Sequence, residues 1–265
     1  MAEGSAEARN SATQGVRKAV QLLTYFATSG QTSLSVADLS ERTGWSKSTV
    51  SRLLAALEDS RLVCQDPLTS RYALGLELVA LAGAALNGNR LYRISRPHLE
   101  RLALESGETA NLSIIDTGQL LTIDEAPSAR PIKLSGWVGM RQPLHGSSSG
   151  KVLLAALPHD RRAVILDVGL VGLTARTIVA RDQLLHELER TRAAGYGLNQ
   201  DELESGLTSV AAAVRDHTGA VVAAISAAGP SARFVASHLD ECIACVKAAA
   251  AATSHALGYR VSAAS

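Results

Sequence analysis

Between residues 15 and 59 apolar positions recur every third or fourth residue, the period of helices that bury one face. Val16, Val20, Leu23 and Phe26 predict a first helix over 15–26. Ser35 followed by Asp38 has the form of a capping box and opens a second helix over 36–42. Thr43-Gly44 closes it, because glycine tolerates the left-handed backbone of a helix end. Ser46 caps a third helix reaching about residue 59, where Val50, Leu53, Leu54 and Leu57 form the buried stripe. Its other face carries Lys47, Ser48, Ser51 and Arg52. Two helices joined through a glycine turn, the second polar and basic on its outer face, suit insertion into a DNA major groove. Two short β-prone runs, 62–65 and 71–74, flank the turn-forming Asp66-Pro67-Leu68-Thr69-Ser70 and predict a hairpin wing. Arg71, at the base of that wing, is placed to reach a phosphate or the minor groove.

Beyond the wing the pattern changes twice. Residues 76–86 form a small-residue apolar stretch that reads as a linker helix, ended by Asn87-Gly88-Asn89. A helix over 91–105 follows, with Pro97 marking its start or interrupting it. Alternating strands are then expected at 109–116, 119–125 and 131–135, helices at 147–156, 160–168 and 181–194, a strand pair at 207–215 and 220–227, and a closing helix at 237–257. Strand pairs bracketed by helices imply an α+β fold with an antiparallel sheet, not a doubly wound one. The organisation expected is a disordered arm (1–13), a winged helix-turn-helix (14–75), a linker helix (76–89) and a second domain (90–260).

Composition adjusts this picture at three points. Of 265 residues 46% are hydrophobic and only 3% aromatic, so the core is built mainly from Ala, Leu and Val. The net charge is +1, which excludes a general polyanion binder; basicity has to be local. Residues 9–72 hold eight Lys/Arg against five Asp/Glu, a modest excess on the side where DNA contact is expected. Three scattered cysteines imply no disulfide framework and a reducing, cytoplasmic setting. No apolar run reaches the ~18 residues of a membrane helix, so no membrane partner is expected.

The order of these parts, from about residue 15 to 257, resembles the IclR family of bacterial transcriptional regulators. The most specific segment is GYGLNQDELESGLTSVAAAVRD over 195–216, similar to the family signature in Gly195, Glu202, Gly206 and Asp216. It departs from that signature at Asn199, where Asp or Ser is usual, and at Arg215, where an aromatic or His is usual. Pro143-Leu144-His145-Gly146-Ser147-Ser148-Ser149-Gly150-Lys151 is similar to the family's small-residue loop ending in Gly-Lys. The resemblance implies a winged helix-turn-helix joined by a linker helix to a GAF-like effector-binding and oligomerisation domain. It also implies a homodimer or homotetramer on a palindromic double-stranded operator, more often a repressor than an activator, answering to a small metabolite such as an organic acid.

Candidate sites follow. Ser46, Lys47, Ser48, Thr49, Ser51, Arg52 and Arg71 are the expected DNA contacts: basic groups address guanine or phosphate, and hydroxyls serve either. By resemblance Asn199, Ser209 and Ser226 match positions that line the family's ligand cavity, while Ala228 stands where a second serine is often found. Gly146, Ser147 and Ser148 open a helix whose free N–H groups favour an anion. Trp137 and Met140 are candidates for the apolar wall of the effector site. No motif calls for a cofactor.

Competing chemistry is also legible. Gly146-Ser147-Ser148-Ser149-Gly150 fits the G-x-S-x-G pattern of a serine hydrolase, with Asp167 and His186 downstream. The elbow needs a strand before it, whereas Arg141-Gln142-Pro143 precedes this one. The run ending at Lys151 is no P-loop, since three residues separate its glycines and Val152 follows the lysine. Cys242 and Cys245 share a helical face and are open to metal or redox use, but Ile243 and Val246 beside them mark a core position. A sensor module without DNA binding completes the alternatives.

Overall fold

The computed structural model describes residues 2–260, with side chains from residue 13. The chain divides into two compact units, residues 1–88 and 89–265.

In the first unit, α1 (Ala2–Thr28) precedes α2 (Val36–Thr43) and α3 (Lys47–Asp59). The hairpin β1 (Val63–Gln65) and β2 (Tyr72–Leu74) follows, then α4 (Glu77–Gly88). The α2 capping box forms as expected: Ser35 Oγ accepts from the Asp38 amide at 3.1 Å and Asp38 accepts from the Ser35 amide at 2.9 Å. Gly44 ends α2 at φ 70°, a value L side chains rarely adopt. Val50, Leu54 and Leu57 pack with Leu22, Phe26, Leu34, Leu39, Val63 and Tyr72 into one core, and Leu53 lies at its margin. Leu34 and Tyr72 exchange two 2.8 Å backbone hydrogen bonds, which fasten the wing to the segment before α2.

Two expectations change here. The arm expected over 1–13 is helical from Ala2; Met1 lies outside the described residues. Ala2, Ala6, Ala8, Glu3, Glu7 and Arg9 are strong helix formers and extend α1 upstream of Gly15. The core-facing stripe of α1 also turns: Leu22 and Phe26 are buried, whereas Val16 and Val20 are exposed.

The second unit comprises α5 (Arg90–Ser106), β3 (Thr109–Asp116), β4 (Gln119–Ala126) and β5 (Arg141–Gln142). Next come α6 (Ser148–Ala156), α7 (His159–Leu166), α8 (Arg181–Ala194) and β6 (Gly197–Gln200). It closes with β7 (Leu207–Arg215), β8 (Val221–Pro230) and α9 (Ala236–Ala256). The sheet order is β5-β4-β3-β8-β7-β6, antiparallel at every pairing. Residues of α5 and α9 share a core with one sheet face through Leu99, Leu102, Val246 and Ala250. Those of α6 and α8 share another with Ala211 and Ala224 on the opposite face through Val152, Leu154, Leu184 and Leu188. Small residues on β7 and β8, Ala211, Ala212, Ala223, Ala224 and Ala227, are all buried, so the flanking helices close on the sheet without aromatic filler.

The strand expected at 131–135 does not form. That stretch belongs to a loop tied where the Glu125 carboxylate accepts from the Gly136 and Trp137 amides and where the Ile132 carbonyl accepts from Arg233 at 2.9 Å. Ile132 there is exposed, so its β-prone side chain finds no core. The edge strand β6 was missed, because four residues led by glycine carry too little alternation to register. Pro97 sits inside α5 on an exposed position, and the helix passes through it.

Candidate functional site

Two sites emerge, one in each unit. In the first, Ser46 caps α3 and its Oγ lies 3.0 Å from Ser48 Oγ and 2.9 Å from Thr49 Oγ1. Thr49 is half-buried and turned toward this cap, so it serves the helix end more than the groove. Lys47, Ser48, Ser51 and Arg52 are exposed along one side of α3. Neither Lys47 nor Arg52 has a carboxylate partner among the described residues. No acidic residue lies in the first turn of α3; the Thr49 amide is taken by the Ser46 cap, which leaves the Lys47 and Ser48 amides as donors suited to a phosphate.

Arg71 is not part of this display. Its guanidinium donates to Ser33 Oγ at 3.1 Å, to the Ser33 carbonyl at 3.0 Å and to Asp38 at 2.9 Å. Arg71 thus braces the wing base against the start of α2, with its side chain still 37% exposed. Hydrogen bonds from Ser35, with Arg71 adding its charge, hold the Asp38 carboxyl below the usual range. The wing tip is a turn in which Asp66 Oδ1 accepts from Leu68 and Thr69, and it carries no cation.

The second site lies on the sheet face that α6 and α8 partly cover. Strand register assembles it: Asn199 of β6 stands opposite Ser209 of β7, and Ser226 of β8 lies between Ala211 and Asn111 of β3. Ser113 pairs with Thr122 of β4 on the same face, their hydroxyls 3.3 Å apart. Ser148, in the first turn of α6, meets Ser209 at 2.8 Å. All seven side chains are buried. Asn111 Oδ1 is buried with no hydrogen-bond partner, an unusual state for an amide oxygen and one that a ligand donor would relieve.

Asn111, Ser113 and Thr122 were not singled out in the sequence. Thr109, Asn111 and Ser113 alternate with Ala110, Leu112 and Ile114, a pattern that reads as a solvent-facing side. Asn199 does more than face a ligand: its Oδ1 accepts from the Glu202 amide at 2.8 Å and the Leu203 amide at 3.4 Å. Ser147 is a helix cap whose Oγ accepts from the Gly150 amide. Gly146 is buried, and a Cβ on Gly150 would collide with the Leu144 carbonyl oxygen, which explains the small residues of this loop. Trp137 is half-buried and Met140 half-exposed, so Met140 is no interior wall.

A buried ion cluster supports this face. Lys151 Nζ donates to Glu202 at 2.6 Å, to the Leu198 carbonyl at 2.8 Å and to Glu187 at 3.4 Å. It ties α6, α8, β6 and the loop after β6 through one ammonium. Burial pushes the Glu202 carboxyl up, against the opposing pull of Lys151.

The model of the IclR helix-turn-helix domain matches residues 15–67, and that of the bacterial transcriptional regulator IclR C-terminal domain matches residues 83–255. The chain belongs to the IclR family. It is a DNA-binding transcriptional regulator, and its family is not one of enzymes. Among its relatives is the HTH-type transcriptional repressor AllR of Klebsiella pneumoniae, 35% identical over 222 residues, covering 83% of this chain and 81% of AllR. The fold is similar to the IclR transcriptional regulator from Alicyclobacillus acidocaldarius (TM-score 0.84, 25% identity, 92% of this chain and 99% of that one). It also matches a regulator from Rhodococcus sp. RHA1 (TM-score 0.81, 28% identity, 92% and 98%).

The IclR signature thus has a physical meaning here, with Glu202 anchoring Lys151 of the Gly-Lys loop. The hydrolase alternative fails on geometry. Ser148 Oγ is buried against Ser209, while His186 is exposed and faces Glu189, and Asp167 pairs with Arg181. Cys242 packs with Val210 and Phe234, and burial pushes its thiol up to about 12. Such a thiol stays protonated and inert. Among the described residues no group of three or more His, Cys, Asp or Glu is placed to hold a metal, and no helix is long and apolar enough to cross a membrane.

Proposed function

We propose that this IclR-family regulator is a homo-oligomeric repressor that reads a palindromic operator and is released or retained by a small organic acid. The observation that carries DNA reading is α3 itself, which presents Lys47 and Arg52 exposed and without carboxylate partners beside the Lys47 and Ser48 amides of its first turn. Two such helices in successive major grooves stand ~34 Å apart. Oligomerisation is supported by α4, which buries no residue within its unit and exposes Val79 and Leu81, with exposed Leu76 just before it. An isolated helix of this length is marginal in water, so a second copy covering the apolar face stabilises it. Selection from random duplexes at ~150 mM salt, where non-specific phosphate binding is suppressed, is expected to enrich a palindrome. Failure to enrich any sequence, with and without organic acids, overturns the reading.

The effector seat proposed is the polar sheet face, where the unpartnered Asn111 Oδ1 and the hydroxyls of Ser148, Ser209 and Ser226 converge. A ligand acts on DNA affinity only through unequal affinity for the DNA-competent and DNA-incompetent states. Ser209→Leu is expected to abolish the calorimetric signal of any organic acid that dissociates the operator complex. Retained affinity in that variant places the seat elsewhere.

A further inference from the structure

A cleft of about 1130 Å³ opens in the second unit away from the polar face, between the ends of α6 and α8 and the end of α9. At its back β6 has ended, and β7 beyond Ala211 is paired on one side only. Five cations line it, Arg162, Arg192, Arg215, Lys247 and Arg260, and no carboxylate does. None of the five has a carboxylate partner among the described residues. The neighbouring acids pair elsewhere than with these cations: Asp160 lies 3.5 Å from His159, and Asp216 accepts from Thr218.

Two of the cations are held in place. Lys247 Nζ sits 5.1 Å from the centre of the Tyr196 ring, and Arg215 lies 6.0 Å from that of Tyr259. The Arg215 guanidinium also donates to the Gly219 carbonyl at 2.9 Å. Rings and carbonyls position a cation without cancelling its charge. Helix dipoles do not account for the set. They favour Arg192 in the last turn of α8, but Arg162 lies in the first half of α7, Lys247 in mid-helix and Arg215 on a strand. The floor is apolar, with Ala155, Ala212 and Ala250.

We infer that this cleft is a second ligand site, for a small organic molecule with two or more anionic groups. Guanidinium forks take up carboxylate or phosphate bidentately, and the alanine floor accepts the carbon skeleton. The inference is independent of the proposed effector seat.

The test is titration calorimetry of the full-length protein with citrate and with inorganic pyrophosphate, against formate, at fixed ionic strength. Saturable one-to-one binding of citrate, pyrophosphate or both is expected, with formate inert; preference between the two tells polycarboxylate from phosphate. Arg192→Gln and Lys247→Gln, both at exposed positions, are each expected to weaken binding at least tenfold with an unchanged circular dichroism spectrum. In the unsubstituted protein the bound anion is expected to shield Lys247, and not exposed Lys133, from amine acetylation. No saturable binding up to about 10 mM, a range that would still reveal a Kd near 1 mM, overturns the proposal. So does undiminished affinity in both variants, or equal acetylation of the two lysines. Binding lost in Ser209→Leu but kept in Lys247→Gln assigns the anion to the polar sheet face and also overturns it.

Discussion

Lys151→Met is expected to destabilise the second unit by about 3–5 kcal/mol, the range for breaking a buried ion pair from one side. Methionine matches the length of the lysine stem, so packing is nearly conserved and the lost charge dominates. Glu202 then loses its ion-pair partner in a buried site, Glu187 keeps only Arg190, and the Leu198 carbonyl loses its donor. One oxygen of Glu202 already lacks a partner, and the other loses its Lys151 donor in the variant. Denaturant unfolding followed by circular dichroism checks the magnitude. The pH dependence separates charge from packing. A carboxyl whose pKa is raised on folding binds its proton more readily in the folded state. Its contribution is therefore fully present below the unfolded value and is lost as pH rises through the folded one. Glu202 is such a group, and removing Lys151 raises it further. The gap between variant and parent is expected to narrow as pH falls from neutral toward roughly 5, near the ordinary glutamate range. A gap that stays constant with pH means a packing defect and refutes the account.

Arg52→Ala is expected to weaken operator binding at least tenfold at constant salt, about 1.4 kcal/mol, and Lys47→Ala with it roughly hundredfold. The two act differently. An arginine fork at a base edge discriminates sequence, by about 1–3 kcal/mol per good bidentate contact. A lysine on phosphate weakens all sequences alike and lowers the salt slope by about one. Both side chains are exposed and without carboxylate partners, so neither change disturbs the core of α3. Gel-shift titrations at several salt concentrations, on operator and scrambled duplex, separate the effects. Unchanged affinity in a folded Arg52→Ala protein removes this helix face from the interface. Arg71, already committed to Ser33 and Asp38, has no equivalent place in that experiment.

Much of this protein was legible before any coordinate. Ser35, Asp38, Gly44 and Ser46 declare their helix ends locally, because a cap is a hydrogen bond between residues three apart. The stripe of Val50, Leu54 and Leu57 and the α+β order of elements follow from periodicity in the same way. The family signature was readable as a string, although its physical content, Glu202 holding Lys151 across fifty-one positions, was not. Tertiary structure alone decided three matters. It paired Arg71 with Asp38, thirty-three residues away, a brace that sequence position did not suggest. It buried the polar alternation of Thr109, Asn111 and Ser113 by laying helices over a face that reads as solvated. It gathered Arg162, Arg192, Arg215, Lys247 and Arg260 around one cleft from three helices, a strand and the chain's last described residue. Local propensity and capping act within a few residues and leave their mark in sequence. Charge pairing and burial depend on which distant segments meet, and that is settled only when the sheet register and helix packing are in place.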